Sequence, residues 1–218
     1  MITLHFRHRA RLPLTVLCLG AHADDIEIGC GGTLLELMEH NPNVSVHWVV
    51  FSATPARARE VRRSARMLLQ NARRKKIVIR GFRDSYFPFR GERIKKFMQQ
   101  LGREATPDLV FTHYRRDLHQ DHRLIAELTW NAFRNHLILE YEIPKYDGDM
   151  GAPNAYVHLD KDIAERKVRH ICDTFRTQKS KRWFGEDTFL ALLRLRGLES
   201  NAPSRYAEAF YCPKMLLG

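Results

Sequence analysis

Apolar and polar positions along the chain fall into a repeating order of short apolar runs and amphipathic stretches. Residues 14–19 form a continuous apolar run of strand length, and residues 34–38 read as helix. Residues 44–51 make a second strand, after which Pro55 opens a helix as a first-turn proline does. In that helix Val61, Ala65, Leu68, Leu69 and Ala72 share a face, and the opposite face presents Arg59, Arg62, Arg63, Arg66 and Arg73. A brief third strand at 77–79 precedes a helix over 91–104, where Ile94, Phe97, Met98 and Leu101 align. Pro107-Asp108 introduces a fourth strand at 109–111, and Leu124, Ile125, Leu128 and Ala132 predict a helix from Asp121 onward. Strands alternating with helices in this way call for a mainly parallel sheet covered on both faces, a Rossmann-like three-layer α/β/α architecture.

Beyond residue 135 the pattern changes. Residues 136–143 read as a strand, 144–153 as a loop containing Asp147-Gly148-Asp149, and 154–159 as another strand. Asp160 is placed to cap a helix with Ile163, Lys167, Ile171 and Phe175 at helical spacing. A helix over 187–198 and a strand over 207–212 complete the chain. There is no internal repeat and no low-complexity tract, so we expect one domain over 1–218, a core of residues 1–135 with a carboxyl-terminal elaboration over 136–218 that sets substrate selectivity.

Two polar clusters interrupt this scheme at matching places. Gly20-Ala21-His22-Ala23-Asp24-Asp25-Ile26-Glu27 follows the first strand, and Thr112-His113-Tyr114-Arg115-Arg116-Asp117-Leu118-His119-Gln120-Asp121-His122 follows the fourth. Open α/β sheets place ligands at the carboxyl ends of their strands, and imidazole and carboxylate are ordinary zinc ligands. Either cluster alone would also suit a helix-capping turn; together they read as halves of one mononuclear metal site. Paired Asp24 and Asp25 let one carboxylate bind metal while its neighbour takes a proton from water. His119 and His122 straddle a helix start, which argues against an H-E-x-x-H protease.

These residues resemble the LmbE-like, or PIG-L, family of zinc-dependent N-deacetylases, which act on N-acetylglucosamine-containing substrates. The first family motif, Ala-His-Pro-Asp-Asp-x-Glu, stands here as Ala21 to Glu27 with Ala23 for proline, and the second is complete from Asp117 to His122. The resemblance implies His22, Asp25 and His122 as ligands of one Zn²⁺, with Fe²⁺ or another divalent ion open. It implies Asp24 as general base and His119, oriented by Asp121, as the positively charged or proton-donating partner of the tetrahedral intermediate. Arg57, in an Arg57-x-x-Glu60 match, and Asp84, after Gly81-Phe82-Arg83, become candidate substrate-binding residues. His113 and Asp117 are candidates for supporting the ligands, Glu27 for orienting His22, and Tyr141, Tyr146 and Tyr156 for an extra oxyanion donor, with nothing to choose among the tyrosines.

Bulk properties narrow the remaining classes. The chain has 218 residues, 44% hydrophobic and 28% charged, which suits a soluble domain burying about 70% of its unfolded surface. Cys18, Cys30, Cys172 and Cys212 are too scattered for a cysteine zinc knuckle and fit a reducing, cytoplasmic setting. The basic amino terminus with Ala21-His22-Ala23 imitates a secretory leader, but cleavage there would delete His22. No apolar run approaches the roughly 20 residues of a membrane span. The net charge of +11, concentrated in residues 57–76, admits an anionic amino-sugar or glycoconjugate substrate without any nucleic-acid motif to go with it. A mononuclear metal phosphoesterase is the alternative function, and a homo-oligomer is an open expectation.

Overall fold

The computed structural model describes residues 13–216; the basic segment 5–11 that imitates a leader lies outside the described residues. In chain order the elements are β1 (Leu14–Gly20), α1 (Asp25–His40), β2 (Val44–Val50), α2 (Pro55–Leu68), β3 (Arg74–Ile79), α3 (Gly91–Glu104), β4 (Leu109–His113), α4 (Gln120–Ala132) and β5 (Leu137–Tyr141). They are followed by β6 (Ala155–His158), α5 (Lys161–Thr174), α6 (Glu186–Glu199) and β7 (Ala207–Tyr211). All seven strands join one sheet in the order β3-β2-β1-β4-β5-β7-β6. The first five are parallel, and β7 runs antiparallel between β5 and β6.

Strand periodicity divides the core into two layers. Val16 and Cys18 of β1 face a cluster containing Ile26 and Leu34 of α1, Val61 and Ala65 of α2, Ile163 and Ile171 of α5, and Phe189 of α6. Leu17 and Leu19, one residue out of phase, face Ile94, Met98 and Leu101 of α3 and Ile125 and Leu128 of α4. The expected α/β/α sandwich is therefore present, and the carboxyl-terminal elements continue the same sheet and the same core.

Two boundaries differ from the sequence expectation. Helix α1 begins at Asp25, nine residues before 34, and runs straight through Gly29, Gly31 and Gly32. These glycines serve close packing: a Cβ on Gly29 would lie 2.2 Å from Cδ2 of Tyr141, and one on Gly32 2.5 Å from Cδ1 of Leu159. The basic helix, whose expected faces extend to Ala72 and Arg73, ends at Leu68, and Arg74, Lys75 and Lys76 belong to β3, paired with Ser45, Val46 and His47 of β2. Parallel pairing with β2 overrides the local pattern, so among the described residues part of the basic stretch lies on one of the two edge strands of the sheet.

Helix α5 holds Lys167 on its buried face, as the spacing predicts, and Glu208 of β7 explains how a charge can lie there. Lys167 Nζ donates to Glu208 Oε1 at 2.6 Å and to the Ile28 carbonyl at 2.7 Å, while Glu208 accepts from the backbone N–H groups of Gly32 and Thr33, each at 2.7 Å. The pair thus supplies hydrogen bonds inside α1 itself. Asp160 occupies the N-cap position of α5 but makes no side-chain cap bond; its backbone N–H donates to Glu36 instead.

Candidate active site

Because β1 and β4 are parallel neighbours, with Cys18 opposite Phe111, the loops at their carboxyl ends emerge side by side. Short loops then give each polar residue a fixed place. Asp24 is the N-cap of α1, Asp25 its first residue, and His119 the N-cap of α4. The expected straddling of a helix start by His119 and His122 is what the structure contains.

Three donor atoms from these loops converge. His22 Nδ1 lies 3.1 Å from His122 Nε2 and 3.5 Å from Asp25 Oδ2, and His122 Nε2 lies 3.7 Å from Asp25 Oδ2. A tetrahedral zinc ion with bonds of 2.0–2.1 Å needs ligand atoms about 3.4 Å apart, so the spacing fits one ion. All three side chains are buried. The surroundings are dense in further donors: His22, His119 and His122 form one group within 4.8 Å, Asp25, His113 and His122 another, and His22, Asp84 and Asp121 a third.

Each imidazole of the triad is backed by a carboxylate at its other nitrogen. Asp117 Oδ2 lies 2.9 Å from His122 Nδ1, and Asp121 Oδ2 and Asp84 Oδ1 lie 3.2 and 3.1 Å from His22 Nε2. Such partners fix tautomer and ring orientation in metal sites. Burial, reinforced by the His113 ring stacked at 3.9 Å, pushes the His122 pKa down to about 3, so this ring is neutral and able to ligate. Burial also disfavours a charge on His22, but its bonds to Asp121, Asp25 and Asp84 outweigh burial and raise its pKa well above the ordinary value. Asp117 is buried too, yet the hydrogen bond from His122 and the charge of Lys145 hold its carboxyl well below the usual range. His113 accepts from the Ala21 N–H at 2.9 Å, and its Nδ1 is buried without a partner.

Asp24 stands beside this triad with its two oxygens in different situations. Oδ1 accepts from Arg57 Nη2 at 2.6 Å, whereas Oδ2 is buried and has no partner. Burial is the largest influence on its carboxyl and, with the neighbouring Asp25 charge, raises its pKa despite Arg57. The expected contact of Arg57 with substrate is therefore replaced in part by a contact with Asp24, although the Arg57 Nε is also buried and unpartnered. Asp84, the other expected substrate residue, points its Oδ1 at His22.

Asp121 also departs from expectation. Its carboxylate accepts from the backbone N–H groups of Ser85 at 2.7 Å and Phe87 at 3.1 Å and faces His22, not the His119 ring. What reaches His119 is the Asp121 backbone N–H, 3.2 Å from Nδ1. The Nδ1 atom thus accepts, which assigns the ring proton to Nε2. Burial and then the His22 charge lower the His119 pKa, which favours the neutral, N–H-donating ring over the positively charged one. Glu27, expected beside His22, bonds to Ser64 on α2, which in turn is 2.7 Å from His170.

A cleft of about 250 Å³ opens over these groups, with His22, Asp24, Asp25, His119 and His122 at its floor. Of the three candidate tyrosines, Tyr146 lines it; Tyr141 is buried with its hydroxyl donating to the Leu19 carbonyl, and Tyr156 bonds to the Pro153 carbonyl. The walls also include residues without a sequence signal: Lys145, Asp147, Lys181 and Trp183. Lys145 bonds to Asp117 at 3.0 Å and to Asp149 at 2.5 Å, and Asp149 accepts from the Leu118 N–H, which ties loop 144–153 to the second polar cluster.

Residues 17–133, more than half of the chain, match the PIG-L family, described as GlcNAc-PI de-N-acetylase. The chain belongs to this family. Among curated protein sequences none matches it. Solved structures share the fold. N,N'-diacetylchitobiose deacetylase from Pyrococcus horikoshii is 24% identical, with a TM-score of 0.69 over 94% of this chain and 86% of that one. A conserved protein from Thermus thermophilus is also 24% identical, with a TM-score of 0.72 over 94% and 97% of the two chains. The 4-carboxy-2-hydroxymuconate hydratase GalB from Pseudomonas putida, 16% identical, reaches 0.72 over 94% and 98%. The same fold therefore occurs in proteins named for different reactions, and the site has to decide between them.

Proposed function

We propose that this PIG-L family member is a zinc-dependent N-deacetylase that removes the acetyl group from an amino sugar or glycoconjugate. The observation that carries the reading is the unpartnered Asp24 Oδ2 beside three donor atoms spaced 3.1 to 3.7 Å apart at the floor of a cleft. Family membership, and the deacetylase activity of the Pyrococcus horikoshii relative, support the same chemistry. His22, Asp25 and His122 would hold the ion, which supplies Lewis acidity toward water and the amide carbonyl.

The residues of the chain do the rest. Asp24, its proton affinity raised by burial, takes a proton from the attacking water. Arg57 keeps the carboxylate turned so that Oδ1 is occupied and Oδ2 is the acceptor. The His119 Nε2–H donates to the carbonyl oxygen as negative charge develops there, a role that needs a donor and no formal charge. Asp24 then returns its proton to the departing amine nitrogen, and the C–N bond breaks to give acetate and the free amino sugar.

Acetate release from N-acetylglucosamine, its nucleotide-linked form, an anionic glycoside and N-acetylated oligosaccharides tests this, with chelation as control. Chelator-sensitive release from any of them is the expected outcome. Silence across the panel together with hydrolysis of a phosphate ester would replace this reading by the phosphoesterase alternative.

A further inference from the structure

Exposed lysines on α3 and α5 pair with an acid one turn away: Lys96 Nζ lies 2.6 Å from Glu92 Oε1, and Lys161 Nζ lies 3.7 Å from Glu165 Oε1. On α2 the same spacings are filled by like charges. Arg59, Arg62, Arg63 and Arg66 are all exposed, and each has another of the four at three or four residues' distance. The first turn of this helix contains no acid to meet the positive end of its dipole. Glu60, the single acid between Pro55 and Leu68, is turned aside, its carboxylate accepting from the Thr177 N–H at 3.1 Å and the Thr177 hydroxyl at 2.6 Å. Among the described residues none of the four arginines pairs with a carboxylate, and Arg62 reaches only the Ala58 carbonyl, at 3.5 Å. Like charges three and four residues apart destabilise a helix. A local rule broken at every turn of one face marks a demand on the sequence other than folding.

The bonds from Glu60 to Thr177 lay the turn after α5 alongside α2, and this turn exposes Arg176 and Lys179. None of these six cations lines the cleft, so the face they form is separate from the candidate active site. Its composition indicates the partner. From Pro55 to Arg74 every basic residue is an arginine, whose guanidinium fork binds phosphate oxygens in pairs. No exposed residue of α2 is aromatic, so the face has no platform on which unpaired bases stack and no wedge that anchors a helix in a bilayer. The four arginines span about 10 Å of helix axis, a length over which a nucleic-acid duplex presents about six negative charges.

We propose that the outer face of α2, extended by Arg176 and Lys179, binds the phosphate backbone of double-stranded nucleic acid without reading its bases. Phosphates inserted among the guanidinium groups turn the mutual repulsion along the helix into attraction to a shared ligand. Contacts of this kind position a protein on a duplex and carry no sequence information, so they need no base-reading motif.

Fluorescence anisotropy of short labelled duplexes, one of DNA and one of RNA, titrated with the full chain provides the test. Affinity is expected to be equal for unrelated base sequences and to fall on the order of 100-fold between about 50 and 200 mM salt, the slope for about four neutralised phosphates. Arg62→Gln combined with Arg66→Gln should weaken binding at least about tenfold and reduce the salt slope by about two units. Both side chains are exposed and repel one another, so Tm of this double variant should hold or rise. Removal of the same charge from α3, by Lys95→Gln with Arg103→Gln, is the control and should change affinity by less than about threefold. A stronger response to DNA or to RNA identifies the duplex geometry that fits the face. An α3 control as damaging as the α2 variant would reduce the effect to net charge and overturn the site. Absence of duplex binding at low salt, or tighter binding to a single strand or to phosphatidylglycerol vesicles than to either duplex, would overturn it as well.

Discussion

A carboxylate oxygen shielded from water without a hydrogen-bond partner is costly, and Asp24 Oδ2 is such an atom. Its cost is understandable if the partner is a reacting proton. We predict that Asp24→Asn lowers kcat by about 10²–10⁴-fold while metal content, measured by elemental analysis, stays at wild-type level. His119→Ala should fall in the same range. Asp117→Ala is predicted to weaken metal binding by about 10–100-fold, because the His122 ring loses the partner that fixes it at 2.9 Å. A pH effect follows from His22, whose pKa in the metal-free protein is raised by Asp121, Asp25 and Asp84 against the opposing influence of burial. Its charged ring stabilises the metal-free fold below the unfolded pKa of about 6.5, and that stabilisation is lost as pH rises through the raised folded value. Zinc needs the neutral ring, so binding at neutral pH should release about one proton and weaken by up to about tenfold per unit of acidification. Titration in two buffers of different ionisation enthalpy measures this; zero proton release would contradict it. The residue types of both clusters were enough to join them into one site, and the family resemblance singled out His22, Asp25 and His122, which the fold brings within 3.7 Å of one another. Side-chain direction was not readable, which is why Asp121 was expected at His119 and lies at His22.

At the scale of elements, the succession of strands and helices along the chain was legible because apolar runs of strand length alternate with 3.6-residue periodicity. Glycine obscured the start of α1: three glycines in four positions suggest a turn, whereas here they let Tyr141 and Leu159 approach the helix. Gly29→Ala should therefore cost about 1–3 kcal/mol, measured by denaturant unfolding, since the Tyr141 hydroxyl is tied to Leu19 and the ring cannot withdraw freely. Lys167→Met is predicted to cost about 3–5 kcal/mol, leaving Glu208 buried and without its cation. Neither interaction has a local signal, because each joins residues far apart in the chain. The boundary between α2 and β3 was hidden for a related reason: the basic residues at 73–76 carry no periodicity of their own, and it is pairing with β2 that makes them strand.

For the whole molecule, the carboxyl-terminal third was readable as secondary structure but silent as chemistry. It adds β7 and β6 to the sheet and supplies the cleft wall that bears Lys145, Tyr146, Lys181 and Trp183. All four cysteines are free thiols, and among the described residues no helix is long and apolar enough to cross a membrane. If His22, Asp25 and His122 hold a metal in the folded state alone, excess metal at a hundred times its Kd should add about 2.7 kcal/mol, and chelation should lower Tm correspondingly in a thermal scan. The margin of the sheet has a further consequence. Among the described residues strand β3 lies at one edge and carries Arg74, Lys75 and Lys76 in its first half. A second copy adding its own β3 there in parallel and in register would set like charges about 5 Å apart across the new ladder, which opposes growth of one sheet into another in that sense. Copies crowded together are held off along that border by mutual repulsion, a protection that weakens as added salt shortens the range of the charges below about 10 Å.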